Sequence, residues 1–211
     1  MDSLVNPSFD DPSDVRPRWK GRDSLDVVHR FNERCFQLIA QAASTDAPCI
    51  VPAIHDNRDL WCDLDDAACS RAARLPFVIV DARFRDAAWW REAIKGVALA
   101  SVPLDHRLLS EQLMEETLLF AAQTVNWSHM VARETLGMSR GVAELLKGLP
   151  PQPLANIWRR HSGELQLRWE QKTQFWRALL LASSGNDTTQ LVHCQRDAQL
   201  LWCADMIRRH D

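Results

Sequence analysis

The side chains best suited by type and spacing to do chemistry lie in His55-Asp56-Asn57-Arg58-Asp59, with Asp63, Asp65 and Asp66 close behind. A histidine beside a carboxylate can serve as an oriented general base. The same residues equally suit the start of a helix, where acids meet the positive end of the dipole. No nucleophile accompanies them, and the chain has neither a Gly-rich phosphate loop nor a His-Glu-x-x-His motif. His55, Cys62 and Cys69 recur every seven residues, about two helical turns, and imidazole with thiolate suits zinc. That spacing matches no compact zinc pattern, and both cysteines adjoin apolar positions. His193 and Cys194 are sequence neighbours whose side chains diverge on a helix. The reading is a non-enzymatic chain with no catalytic residue, no metal and no cofactor.

The second polar constellation is basic and surrounds Leu136 to Leu149. A helix precedes Gly137, which offers the positive-φ residue that ends one. Ser139 can cap the next helix through its hydroxyl, and Val142, Leu145, Leu146 and Leu149 follow at helical spacing. This is the grammar of a helix-turn-helix, whose second helix can enter the DNA major groove, and also of any helical hairpin packed on a neighbour. Arg133, Arg140, Lys147, Arg159 and Arg160, and beyond a gap Arg168, are the groups that would meet phosphates. Two features oppose DNA contact. Acids at Glu134, Glu144 and Glu164 are interleaved with these cations, and Arg133 occupies the place, four before the turn glycine, where DNA-reading versions favour a small residue.

The elements that must carry these groups are mainly helical. In chain order, residues 1–22 read as a loose, proline-bearing arm. Helices are expected from Ser24, with Val28, Phe31, Cys35, Leu38, Ile39 and Ala42 on one stripe; from an Asp56 cap through Leu75; and from Asp86 through Val97. Cys49–Ile54 is at best an edge strand because of Pro52. Phe77–Val80 is the best strand candidate, or else a buried extended segment. Ser101-Val102-Pro103 signals a helix start at a domain boundary near residue 100, and Leu104 to Val125 is helical in pattern. After the hairpin, Pro150-Pro151-Gln152-Pro153 bars continuation. Leu154–Arg160, Phe175–Ala182 and a last helix to about Arg208 follow, with Leu165–Trp169 either a brief strand or a lead into helix.

With 211 residues, 46% hydrophobic and 25% charged, the chain can bury a sizeable core. Its net charge of −3 excludes holding nucleic acid by bulk positive charge. No apolar run approaches the roughly 20 residues needed to cross a bilayer, and the acidic N-terminus does not resemble a signal peptide. The expected location is cytoplasmic, with no membrane partner. Six cysteines without a Cys-x-x-Cys pair read as reduced, small core residues. Nine tryptophans and no tyrosine fit helix cores or amphipathic interface anchors.

From about Leu104 to Met206 the chain resembles FlhD, the D subunit of the flagellar master transcriptional activator. The resemblance rests on Leu118-Leu119-Phe120-Ala121; Leu136-Gly137-Met138-Ser139 followed by Ala143, Leu146 and Leu149; Leu154 and Ile157; Arg168-Trp169-Glu170; and Val192-His193, in the family's order. It implies an all-α, FlhD-like dimerisation domain over residues 101–211 with a helix-turn-helix-like hairpin. Residues 23–100 have no counterpart in that family and read from their own pattern as a helical domain of unknown role with at most one or two short strands. The resemblance further implies a homodimer built on intertwined helices and an FlhC-like partner subunit that brings most of the contact with promoter DNA. Ser139, Arg140 and Lys147 are then the hairpin positions to suspect. Leu165 stands where the family's members carry a cysteine able to link the dimer. The expected function is transcriptional regulation, directly or through that partner; the alternative is a protein-interaction adaptor that keeps the fold for dimerisation.

Overall fold

The computed structural model describes residues 21–44, 52–96, 109–185 and 188–207. The expected arm before Gly21, residues Cys49–Val51 and the expected boundary at Ser101–Pro103 lie outside them. Among the described residues the fold is mainly helical, with one two-stranded antiparallel sheet, and no helix is long and apolar enough to cross a membrane.

The first helix, α1 (Gly21–Ser44), buries Val28, Phe31, Cys35, Leu38, Ile39 and Ala42, as its stripe predicts. Pro52–His55 forms a helical turn, α2, rather than an edge strand; proline's fixed φ suits a first helical position. The single helix expected from Asp56 to Leu75 is two: α3 (Arg58–Cys62) and α4 (Asp66–Ala72). Asp63 and Asp65 cause the break. Short acidic side chains favour capping over a helix interior, and the Asp65 carboxylate accepts from the Ala68 amide at 2.6 Å. Asp56 caps nothing; Asn57 holds the N-cap position of α3 without a side-chain cap bond.

A buried, extended segment follows, of which Val80–Asp81 (β1) pairs with Gln166–Leu167 (β2) in the register Val80↔Leu167 and Asp81↔Gln166. Phe77, Val78 and Ile79 are fully buried but outside the ladder. Their backbone groups are claimed by side chains and a helix end instead. Buried Asn32 on α1 donates to the carbonyls of Ala73, Leu75 and Phe77, at 2.9 Å for the last, and its oxygen accepts from the Ile79 amide at 3.1 Å. Asp86 caps α5 (Ala87–Lys95) by accepting from the Trp89 amide, as expected.

In the second half come α6 (Leu109–Trp127), α7 (His129–Leu136), α8 (Arg140–Leu146), α9 (Pro151–His161), a 3-10 turn at Ser162–Glu164, β2, α10 (Thr173–Ser184) and α11 (Thr188–Ile207). The helices on either side of residues 97–108 pack into one hydrophobic core. Phe31 of α1 stacks on Phe120 of α6 at 4.3 Å, and an Arg34–Glu116 pair crosses the same seam. Phe36, Trp61 and Trp176 bring α1, α3 and α10 together with ring centres 5.4–6.3 Å apart. Arg71 of α4 donates to the Ser183 carbonyl near the end of α10. Trp61, Trp90 and Trp176 are completely buried, so these three serve the core.

Two outcomes are expected from this packing. Asn32→Ala removes the side-chain donor to the Leu75 and Phe77 carbonyls and the acceptor of the Ile79 amide in an apolar setting, while the Ala73 carbonyl keeps the Leu75 amide, and chemical denaturation should show a loss of about 2–4 kcal/mol. Thiol alkylation at pH 8 should label exposed Cys62 and Cys203 quickly. Cys35, Cys69 and Cys194 are buried, and burial raises all three thiols, Cys69 to about 11. They should react only on unfolding, because the thiolate is the nucleophile.

Candidate nucleic-acid interface

The hairpin forms from local chemistry. Ser128 caps α7 by accepting from the Val131 amide, Gly137 ends it in the left-handed region at φ 63° and ψ 27°, and the Ser139 hydroxyl caps α8 by accepting from the Val142 amide. Ala132, Leu136, Met138, Val142, Ala143 and Leu146 face inward and are buried. Gly148, also at positive φ, turns the chain out of α8, and its amide donates to the Asn126 side chain at the end of α6.

What fixes the hairpin to the core is polar. The last carbonyls of a helix lack intrahelical partners. Here Thr135 O accepts from the Val78 amide at 2.8 Å, and Leu136 O accepts from Nη2 of Arg168. One residue past the turn, the Ser139 amide donates to Phe84 O at 2.8 Å. Arg168 itself is 5% exposed. Its Nε donates to Val78 O at 2.7 Å, its amide to Ile79 O at 2.8 Å, and its guanidinium lies 4.9 Å from the ring centre of Trp202 on α11. Burial pulls its pKa down while Asp81, 3.6 Å from Nη1, pushes it back. A guanidinium stays charged in such surroundings, and a cation at a helix C-terminus is favoured by the dipole.

This corrects one expectation. Arg168 is not a surface cation able to meet phosphate; it is an internal tie joining β2, the segment after α4, the turn of the hairpin and α11. Nothing local in the sequence marks it, because its partners lie 32 and 90 residues away.

The remaining candidate residues fall into two groups. Arg133, Arg140 and Lys147 are exposed on the hairpin, Arg140 with 82% of its side chain accessible and 3.9 Å from Glu144. Glu144 is also 4.0 Å from His129. Ser139 belongs to the same unit but is half-buried, both its hydroxyl and its amide being engaged within the fold. Arg159 and Arg160 close α9. Arg159 is exposed, whereas Arg160 packs its guanidinium over Gly96 at the end of α5 and leaves a buried Nε without a hydrogen-bond partner among the described residues.

The other sequence candidates do not converge. His55 has 87% of its side chain exposed, with Asp56 3.9 Å away. Cys62 ends α3 and is exposed while Cys69 is buried in α4, so the three residues spaced by seven share no helix face. Among the described residues, no group of three His, Cys, Asp or Glu could hold a metal ion. Gly137-Met138-Ser139-Arg140-Gly141 is not among the candidates drawn from the sequence, although it carries the letters of a nucleophile elbow; a helix, not a strand, leads into it, and Ser139 is a cap. One polar network is not legible in the sequence: strained Arg83, at φ 53°, forms an ion pair with Glu164 at 3.2 Å, lies over Trp89, and shares Glu164 with His161 at 2.7 Å.

Compared with known proteins, the chain matches no family model, no curated protein and no solved structure.

Replacing Arg168 with Met should cost about 3–5 kcal/mol by urea denaturation, since it strands buried carbonyls. Lys should rescue little, lacking the planar fork. Gly137→Ala should cost about 1–2 kcal/mol through the left-handed backbone alone.

Proposed function

We propose that the protein is a non-enzymatic, FlhD-like regulator of transcription that acts in the cytoplasm as a dimer. Its hairpin supplies a local contact to DNA phosphates, and a second subunit, another copy or an FlhC-like partner, supplies the rest of the affinity. The observation that carries this reading is the rigid presentation of Arg133, Arg140 and Lys147 on the outer side of a capped helix-turn-helix whose inner side is bonded to the core. Net charge −3 leaves no general attraction for nucleic acid, so binding must rest on these few cations and on a partner.

A second reading, the protein-interaction adaptor, is favoured by Glu144, which sits among the hairpin's cations. Exposed Leu200 and Ile207 on α11 favour it too.

Tagged protein should be recovered from its native lysate with and without nuclease, and DNA from the capture used in a salt titration against Arg140→Glu/Lys147→Glu. The regulator reading predicts an enriched promoter set, with the double variant weakening binding more than tenfold and flattening the log–log salt slope by about two. Capture that survives nuclease without enriched DNA establishes the adaptor instead.

A further inference from the structure

A cavity of about 180 Å³ lies between the end of β2, the loop after β1 and α11, lined by Asp81, Arg85, Arg168, Trp169, Glu170 and Asp205 among others. By volume it holds about six waters, which suits a small metabolite. Its charges are of both signs, and Arg168 has more N–H donors than its two carbonyl partners take. A guanidinium has five N–H donors; Arg168 commits Nε and one Nη2 hydrogen to the Val78 and Leu136 carbonyls. The Asp81 carboxylate accepts from the Phe84 amide through Oδ1 at 3.1 Å, and its Oδ2, at 3.6 Å from Nη1, is beyond hydrogen-bond range of Arg168. Across the cavity, Arg85 Nη2 stands 3.5 Å from Asp205 Oδ2, an oxygen that already accepts from Trp169 Nε1 at 2.9 Å. Elsewhere, Arg34 and Glu116 close to 3.1 Å as a two-pronged pair. Trp169 adopts φ 53°, a backbone strain held at the wall of this cavity.

Two guanidinium groups and three carboxylates around so small a volume complement a molecule carrying both charges a few ångströms apart. We propose that this cavity binds a small zwitterionic α-amino acid, its carboxylate taken by Arg85 and the inner edge of Arg168 and its ammonium by the surrounding carboxylates. Planar guanidinium matches carboxylate geometry, and ammonium offers three donors to acceptors. The opposite side of Arg168 holds the hairpin's Leu136 carbonyl, so the bound molecule sits one residue from the hairpin's anchor. The site stands on the cavity and its charges, independently of whether the hairpin meets DNA.

The test is calorimetric titration and thermal melting of the full chain with glycine, L-alanine and L-serine, each compared with acetate and methylamine as single-charge halves. One zwitterion should bind at a single site with Kd at or below about 1 mM and raise the melting temperature, with neither half doing so. Arg85→Gln should weaken that binding at least tenfold without moving the unliganded melting temperature, since loose, half-exposed ion pairs contribute little to folding. Arg34→Gln, in the remote pair, should leave binding unchanged. Absence of binding by every zwitterion overturns the proposal. So does equal binding by acetate or methylamine, or affinity that survives Arg85→Gln.

Discussion

The rest of the structure depends on one buried guanidinium. Taking Arg168 out of water is expensive, and the cost is met only because its donors find carbonyls that would otherwise be orphaned: Val78 O in an extended segment outside the sheet ladder and Leu136 O at the end of α7. Asp81 and the face of Trp202 stabilise the charge further. The exchange is reciprocal. Without the cation the carbonyls lack donors, and without the carbonyls the cation could not be buried. The orientation of the helix-turn-helix is therefore set by directed polar bonds as well as by apolar packing.

A second buried polar group works from the other side. Asn32 on α1 clamps the segment after α4 through four backbone groups, and Arg168 clamps its continuation. Residues 73–79 thus behave as a strap held by two side chains, connecting the first helix to the hairpin. This interlocking explains how Phe77–Ile79 can be wholly buried without a sheet. It also explains why the hairpin's outward face carries only three exposed candidate cations: its inward and lateral surfaces are occupied by α5, α6 and the strap. The outward face that remains carries Arg133, Arg140 and Lys147 among the exposed acids Glu134 and Glu144.

What the sequence made legible was local. Gly137, Ser139 and Asp86 do what their side chains dictate within three residues, and the apolar stripe of α1 follows directly from 3.6-residue spacing. The break between α3 and α4 was missed because the apolar spacing runs across it while the acids at Asp63 and Asp65 cut the backbone pattern. Asn32 and Arg168 were illegible for a different reason: their partners are 32 to 90 residues distant, and a buried Arg reads in one dimension like any surface cation. The pairing of β1 with β2 is likewise non-local, so two short strands that each looked optional proved to be one sheet. At the candidate interface, Arg133, Arg140 and Lys147 are exposed between the buried apolar positions of the hairpin, whereas Arg160 is drawn aside by α5, a contact no spacing reveals.

The most direct measurement is residue-resolved amide hydrogen exchange of the full chain and its Arg168→Met variant under conditions where both keep native helical content. If Arg168 anchors the hairpin, protection falls selectively at Val78, at Ser139 and through the first turn of α8, while α1 and its contact with α6 keep theirs. Unchanged protection at Ser139 and Val78, or a uniform loss across every helix, would contradict the claim that this one guanidinium holds the hairpin in place.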